Sequence, residues 1–238
     1  MVVTQKNIAT KDRLIFALDV PDCEVAKNLV QELGDSVNFY KLGIELMMTG
    51  DYFDLLDWML SKEKKVFADL KFFDIPATVG AAVYRLKNRG ASFVTVHGNQ
   101  SIMEAAAENK GDHLKVLAVT ALTSLDRGDL DDLGFDCDVG DLVLSRARRA
   151  LEAGCDGVIS SGMEVAKLRQ QIDNKLLVIT PGIRPVDNKP SEDQKRVVTV
   201  TQAFENGADY IVVGRPIRDA SNPRASAEAI QNSIADCF

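Results

Sequence analysis

The stretch Lys65-Val66-Phe67-Ala68-Asp69-Leu70-Lys71-Phe72-Phe73-Asp74-Ile75-Pro76 joins a short apolar run to a charged cluster. In an extended chain alternate side chains share a face, so Asp69 and Lys71 are expected to point the same way, with Asp74 in the turn before Pro76. A half-buried network of this kind shifts the pKa values of its members and can hold a lysine ready to give up a proton. A solvated charged loop fits the same residues, so the rest of the chain must distinguish the two.

Apolar runs of strand length recur on both sides of this stretch, and segments with helical spacing separate them. The predicted strands are residues 14–18, 37–40, 66–68, 93–96, 116–119, 157–159, 176–179 and 210–213. The predicted helices include residues 24–33, 52–60, 79–87, 102–107, 142–151 and 165–171. The strand runs are continuous rather than alternating, which is typical of strands covered on both faces. A repeated order of strand and then helix predicts a parallel sheet.

A glycine precedes three of these strands, at Gly90, Gly154 and Gly207. Each can end a helix in the left-handed conformation and turn the chain into the next strand. Eight such units predict a (β/α)8 TIM barrel that takes up residues 1–238 as one domain, since such barrels commonly have about 250 residues. An open doubly wound sheet is the alternative, and the lack of G-x-G-x-x-G after the first strand weakens it.

The composition restricts the kind of partner. The chain has 46% hydrophobic and 26% charged residues, as ordinary globular proteins do, and a formal net charge of −7. That negative charge argues against nucleic acid or an anionic membrane as a partner, so a bound phosphate must be held by a local site. The sequence lacks the pattern of a signal peptide and an 18-residue apolar span, so a cytoplasmic location is expected.

Metal and redox sites are not indicated by the cysteines or the histidines. The four cysteines form no C-x-x-C pair, which favours reduced, inert thiols. His97 and His113 lack a third nitrogen ligand, and His97 is expected to be a satisfied histidine at the barrel rim. An Mg²⁺ site at Asp19 and Asp69 is conceivable, but Lys41 and Lys71 would compete for the same space. The charge balance therefore argues against a metal.

In a barrel, functional residues belong at the carboxyl ends of the strands. Most of the predicted strands end in polar or small residues: Asp19, Lys41, Asp69 with Lys71, His97, Thr120 with Thr123, Ser160 with Ser161, Pro181-Gly182, and Gly214-Arg215. Some polarity is expected of any loop. The opposite charges that converge on one part of the rim are harder to explain without a function.

Two later segments can hold a phosphate. Gly214 and Arg215 follow the last strand and precede a helix start, where barrels often bind phosphate through backbone N–H groups and a guanidinium. The long connection 181–196 has the length of a lid. Within it Arg184 can reach a phosphate and Gln194 can pair with an amide edge of a base. Simple solvation of both side chains remains the alternative.

Taken together, the motifs resemble those of one family, the bacterial orotidine 5′-phosphate decarboxylases, over essentially the whole chain. The matching motifs are Phe16-Ala17-Leu18-Asp19, Tyr40-Lys41-Leu42-Gly43, Asp69-Leu70-Lys71 with Asp74-Ile75-Pro76-Ala77-Thr78, Ala118-Val119-Thr120 with Leu122-Thr123-Ser124, Thr180-Pro181-Gly182-Ile183-Arg184, Asp193-Gln194, and Val213-Gly214-Arg215. The segment Gly98-Asn99-Gln100-Ser101 departs from the small, glycine-rich stretch expected after the histidine, which affects only the expected local loop shape.

The resemblance implies a homodimer of barrels that decarboxylates orotidine 5′-phosphate to UMP without a metal or organic cofactor. It implies a catalytic tetrad of Lys41, Asp69, Lys71 and Asp74, in which Lys71 protonates C6 of the pyrimidine. Asp74 and Thr78 are expected to reach into the partner's site. For substrate binding it implies Asp19 and Thr78 at the ribose, Thr123 at the pyrimidine, Gln194 at base and phosphate, Arg184, Arg215 and the Gly214 amide at the phosphate, and Ile75 in the same site.

Two other readings are weighed against this one. Mg²⁺-dependent sugar-phosphate enzymes of the same barrel group, 3-keto-gulonate 6-phosphate decarboxylase and hexulose 6-phosphate synthase, share the D-x-K-x-x-D pattern and the phosphate-binding glycine and arginine. They place an acidic metal ligand where this chain has Lys41, and an ammonium group cannot coordinate Mg²⁺. A non-catalytic phosphate-binding barrel is the second reading, and the complete charged cluster argues against it, because unused clustered charge only destabilises a fold.

Overall fold

The computed structural model describes residues 6–184 and 197–238. Within these ranges eight parallel strands close into a barrel in the order of the sequence. They are β1 Leu14–Leu18, β2 Phe39–Gly43, β3 Lys65–Phe72, β4 Phe93–His97, β5 Lys115–Val119, β6 Gly157–Ile159, β7 Leu177–Thr180 and β8 Tyr210–Val213. Strand β8 pairs with β1 and completes the ring, which confirms the predicted (β/α)8 barrel and excludes the open sheet.

The described ranges contain eleven α-helices, most of them outside the barrel wall. They are α1 Cys23–Leu33, α2 Ile44–Met47, α3 Tyr52–Ser61, α4 Pro76–Lys87, α5 Gln100–Asn109, α6 Arg127–Asp132, α7 Val139–Glu152, α8 Val165–Gln171, α9 Val200–Glu205, α10 Arg215–Arg218 and α11 Pro223–Ala235. None of these helices has both the length and the apolar character that a membrane crossing requires.

Local sequence explains where several elements begin and end. The Asp22 carboxylate accepts a hydrogen bond from the Val25 N–H and caps α1. Pro76 occupies the first turn of α4, where its missing N–H costs nothing. Gly90, Gly154 and Gly207 have φ values of 82°, 80° and 102°, so each turns the chain in the left-handed conformation as predicted.

The second strand differs from the prediction, which ended it at residue 40. It runs over Phe39–Gly43, with Lys41 inside it. A lysine after an apolar run indicates the end of a strand, because an ammonium group is rarely buried. Here it is buried because carboxylates lie beside it.

The barrel interior is apolar below the carboxyl ends of the strands. Side chains that alternate along the strands point inward and form a separate cluster, made of Ile15, Ala17, Phe39, Phe67, Phe93, Leu117, Leu177, Ile179, Tyr210 and Val212. Ring centroids within it lie 4.9 to 6.0 Å apart, with tilted or edge-to-face geometry. These packed rings form an apolar floor below the carboxyl ends of the strands.

The opposite end of the barrel carries a buried ion-pair network. The Asp209 carboxylate accepts hydrogen bonds from Lys6 Nζ at 2.6 Å and Arg169 Nη2 at 2.7 Å, and from the Val178 N–H at 2.9 Å. Asp209 precedes β8, so the network lies at the amino-terminal end, where polar residues of a barrel serve stability rather than chemistry.

Candidate functional site

A cavity of about 440 Å³ opens at the carboxyl ends of the strands, above the apolar floor. Its walls combine charged groups on one side with glycine, proline and arginine residues on the other. The lining residues are Ala17, Asp19, Lys41, Phe67, Asp69, Lys71, Val119, Ala121, Leu122, Thr123, Ile159, Pro181, Gly182, Arg184, Val212, Gly214, Arg215 and Arg218. Strand ends β1, β2, β3, β5, β7 and β8 thus supply residues that the sequence singled out.

Four charged side chains form a continuous network in this cavity. Lys41 Nζ lies 2.8 Å from Asp19 Oδ1 and 3.5 Å from Asp69 Oδ2. Lys71 Nζ lies 2.9 Å from the same Asp69 Oδ2. The Asp69 carboxylate is thus held between two ammonium groups, one of which, Lys71, is partly exposed to the cavity.

The strand register places this network directly above the apolar floor. Lys41 and Asp69 each lie two residues beyond an inward ring, Phe39 and Phe67, so they continue the inward face of their strands. Gly43 pairs with Asp69 in the ladder. A Cβ atom at Gly43 would lie 3.2 Å from Asp19 Oδ1 and 3.3 Å from Lys41 Nζ, so the glycine leaves room for the ion pairs.

The backbone at Lys71 is irregular. The pairing of β3 with β4 shifts register between Ala68 and Phe72, and Lys71 has a φ of 47°, in the left-handed region. The Lys71 N–H donates to Thr95 Oγ1 at 2.9 Å. The Thr95 hydroxyl donates to Asp69 Oδ1 at 2.8 Å. The contact between Lys71 and Asp69 therefore depends on a β-bulge and not on the regular alternation of side chains along the strand.

The charges in the network stabilise one another. Burial raises the pKa of Asp69, but the Lys41 and Lys71 ammonium groups and the Thr95 hydrogen bond outweigh it and leave that pKa below its ordinary value. Burial lowers the pKa of Lys41, but the carboxylates of Asp69 and Asp19 outweigh it and leave that pKa above its ordinary value. Asp69 is therefore a carboxylate and Lys41 an ammonium at neutral pH.

The other wall of the cavity is suited to an anion. Gly214 and Arg215 line it after β8, and Arg184 lines it after β7. The Arg184 N–H donates to the Val198 carbonyl at 3.0 Å, which fixes the start of the long connection. Thr123 also lines the cavity, after β5. Gln194, predicted to contact base and phosphate, lies outside the described residues.

Three predicted site residues do not line this cavity. Asp74, Ile75 and Thr78 are exposed between β3 and the first turn of α4, and Asp74 Oδ1 accepts a hydrogen bond from the adjacent Ile75 N–H. The ring of Phe73 packs against His97 in a tilted arrangement, with centroids 4.6 Å apart. One chain thus brings together Asp19, Lys41, Asp69 and Lys71 and directs Asp74 elsewhere.

Asp19 and Asp69, the carboxylates considered for Mg²⁺, hold the Lys41 ammonium group between them. Within residues 6–184 and 197–238, no group of three or more acidic, histidine or cysteine side chains is arranged to hold a metal ion. The two carboxylates at this position therefore bind a cation of the protein itself, the Lys41 ammonium group.

The sequence did not point to two residues of the site, and it included a third only as part of a longer motif. Thr95 is a polar residue at an inward position of an apolar run, and that position is the signal that could have found it. Arg218 Nη1 donates to the Asp19 carbonyl at 2.6 Å, a contact across 199 residues that no local pattern reveals. The third is Gly43, whose lack of a side chain matters only once its neighbours are known.

Comparison with known proteins gives a consistent result. The model of the orotidine 5′-phosphate decarboxylase / HUMPS family matches residues 12–230. A protein of Methylococcus capsulatus named orotidine 5′-phosphate decarboxylase is 65% identical over 236 residues, which cover 99% of this chain and 97% of that protein. One of Stenotrophomonas maltophilia with the same name is 50% identical, over 95% of this chain and 94% of its own. The crystal structure of orotidine 5′-phosphate decarboxylase from Lactobacillus acidophilus has a TM-score of 0.82 and 35% identity, over 94% of this chain and 99% of that one.

Proposed function

Because this chain belongs to the orotidine 5′-phosphate decarboxylase / HUMPS family, we propose that its cavity is where orotidine 5′-phosphate loses CO2 to give UMP. The enzyme is a carboxy-lyase of UMP biosynthesis. In the reaction the bond between C6 of the pyrimidine and the carboxylate carbon breaks, the electron pair stays on C6, and a proton takes the place of CO2.

The observation that carries the assignment of roles is the network of Lys41, Asp69 and Lys71 in the cavity wall. Loss of CO2 leaves negative charge on C6 that the ring stabilises poorly, so a fixed cation beside that carbon lowers the barrier. Lys71 supplies this charge and then gives its proton to C6. The Asp69 carboxylate, 2.9 Å from Lys71 Nζ, orients the Lys71 ammonium group, and Lys41 holds Asp69 in turn.

The remaining cavity residues are assigned to substrate binding. The phosphate lies against Arg184, Arg215 and the Gly214 N–H, where charge-assisted hydrogen bonds are strong. Asp19 binds the ribose hydroxyls, and Thr123 contacts the pyrimidine edge. Binding energy from the phosphate, which does not react, serves to hold the pyrimidine against Lys71. Gln194 is proposed, from the resemblance alone, to bridge base and phosphate.

The reaction is proposed to need no metal or organic cofactor and to take place in the cytoplasm. Lys41 supports the first point, because its ammonium group lies where the sugar-phosphate enzymes of this barrel group need an acidic Mg²⁺ ligand. The second is proposed from the role of the enzyme in UMP biosynthesis.

We further propose that the active form is a homodimer in which Asp74 and Thr78 of each chain complete the partner's site, near Ile75. The apolar side chains on either side of Asp74 support this proposal, since Phe73 and Ile75 are each 66% exposed. Exposed apolar side chains grouped in this way are typical of an interface. A twofold axis would place the same residues of both chains against each other.

Substrate choice tests the function. The purified protein, treated with EDTA, is given orotidine 5′-phosphate, and in parallel the Mg²⁺-loaded protein is given 3-keto-gulonate 6-phosphate and hexulose 6-phosphate. We predict UMP and CO2 from the first mixture and no turnover in the others. Turnover of a sugar phosphate that depends on Mg²⁺, without formation of UMP, would instead favour the alternative reading.

Sedimentation tests the dimer. The wild-type chain should sediment with twice its mass of 26.0 kDa. Phe73→Ser should weaken association, whereas Leu133→Ser, at a side chain 61% exposed beyond β5, should not. A monomeric wild-type protein that is fully active would contradict the shared site.

A further inference from the structure

Thr95 contacts both partners of the Lys71–Asp69 ion pair. It lies at an inward position of β4, and its side chain is 0% exposed. Its Oγ1 accepts the hydrogen bond of the Lys71 N–H at 2.9 Å and donates to Asp69 Oδ1 at 2.8 Å. It does not line the cavity and so does not touch the substrate.

The chemistry of the three groups leaves this hydroxyl a single arrangement. A backbone N–H can only donate, and the ionised Asp69 carboxylate can only accept. The hydroxyl must therefore accept from Lys71 and donate to Asp69, which uses its one proton and one of its lone pairs. Both bonds have ordinary lengths, so the hydroxyl is a fixed bridge between the backbone of one residue and the side chain of the other.

The backbone that Thr95 holds is a costly one. Lys71 has a φ of 47°, and this conformation costs a residue with a Cβ about 1–2 kcal/mol. Such a conformation persists where the surroundings hold it, and it occurs most often at functional sites. Without the Thr95 hydroxyl, the Lys71 N–H would lose its partner at the bulge and Asp69 would lose one of its donors.

We propose that Thr95 is a positioning residue for the decarboxylation: its hydroxyl fixes the bulge at Lys71 and the orientation of the Asp69 carboxylate together, so that the Lys71 ammonium group points at C6. This inference rests on the proposed role of Lys71. A loosened bulge moves the ammonium group relative to the substrate, and small errors in position are costly when a proton must pass to one atom. Phosphate binding at Arg184 and Arg215 is not involved, so substrate affinity stays the same.

The test separates the effect of the Thr95 hydroxyl from the effect of the shape of its side chain. Thr95→Val removes the hydroxyl and keeps the shape, and Thr95→Ser keeps the hydroxyl and removes the methyl. If Thr95→Val does not fold, Thr95→Ala is compared with Thr95→Ser, since these two differ by the hydroxyl alone. Thr180→Val is the matched control, because Thr180 is also a fully buried threonine of a barrel strand, and its hydroxyl has no hydrogen-bond partner among the described residues.

We expect Thr95→Val to lower kcat for orotidine 5′-phosphate about 10- to 100-fold and to change KM less than about threefold. Thr95→Ser and Thr180→Val should stay within about threefold of the wild-type kcat. Crystals of Thr95→Val should show Lys71 out of the left-handed region or farther from Asp69. Wild-type kcat in Thr95→Val, with folded protein, would overturn the proposal while the function stands. A wild-type protein that does not decarboxylate the substrate would overturn both.

Discussion

The left-handed backbone conformation of Lys71 is strained. This strain predicts a difference in stability between two variants at that position. Glycine accepts a φ of 47° without steric cost, whereas alanine retains the Cβ that makes it unfavourable. Both Lys71→Gly and Lys71→Ala remove the ion pair to Asp69, so the difference between them isolates the backbone.

The expected difference follows from two opposing effects. Relief of the left-handed strain favours the glycine variant by about 1–2 kcal/mol, and the greater freedom of glycine in the unfolded chain offsets about 0.5–1 kcal/mol. Lys71→Gly should therefore be more stable than Lys71→Ala by about 0.5–1 kcal/mol, or about 1–4 °C in Tm for a chain of this length. Both variants should lose at least about 10³-fold in kcat, because the proposed cation and proton donor are gone.

Glu63 provides the matched control. It is the other non-glycine residue with positive φ in the described part of the chain, at 58°, and it is exposed in the turn after α3, away from the cavity. Glu63→Gly should exceed Glu63→Ala in stability by a similar amount, with wild-type kcat in both. Urea unfolding and turnover of orotidine 5′-phosphate are measured on all four variants. If the Glu63 pair shows the difference and the Lys71 pair does not, the strain assigned to Lys71 is refuted.

Three further outcomes are expected. Arg215→Ala should weaken binding of UMP about 10- to 100-fold and leave binding of uridine nearly unchanged, as measured by calorimetry, so equal losses for both would contradict a phosphate contact. Burial, together with the Arg146 and Lys71 cations, lowers the pKa of His97 from 6.5. The unfolded chain then binds the extra proton, so the free energy of unfolding should fall as pH drops below 6.5 more in the wild type than in His97→Phe. Histidine NMR titration, assigned with His113→Gln, checks the direction, and a His97 pKa above 6.5 would be inconsistent with it. EDTA should change turnover less than about twofold, whereas a loss that Mg²⁺ reverses would implicate a bound metal.

The fold was predictable because its signal is local and repeated. Continuous apolar strands, helical spacing between them and the three left-handed glycines each follow from a few neighbouring residues. Strand β2 was placed too early because its buried lysine depends on carboxylates from two other strands. The ion pairs of Asp209 join residues up to 203 positions apart, and no local pattern predicts them.

The charged residues of the candidate site could be predicted from the sequence, but the geometry that holds them could not. Asp19, Lys41, Asp69 and Lys71 follow from the rule that strand ends of a barrel carry function, and the structure brings them together. The bulge at Lys71 was missed because a regular strand would also place Asp69 and Lys71 on the same face, so the sequence pattern does not distinguish the two geometries. Thr95 was missed because a single threonine in a strand also suits an ordinary β position.

Mixing two inactive variants tests whether each site is built from both chains of the proposed homodimer. Lys71→Ala and Asp74→Ala are each purified, mixed in equal amounts and allowed to exchange subunits. In the proposed homodimer, each mixed dimer has one site that joins an intact Lys71 with the partner subunit's Asp74, and random exchange makes half of the dimers mixed. We therefore predict recovery of about a quarter of the wild-type turnover of orotidine 5′-phosphate. No recovery, with subunit exchange confirmed by mass spectrometry of the intact dimers, would contradict a site shared between two chains.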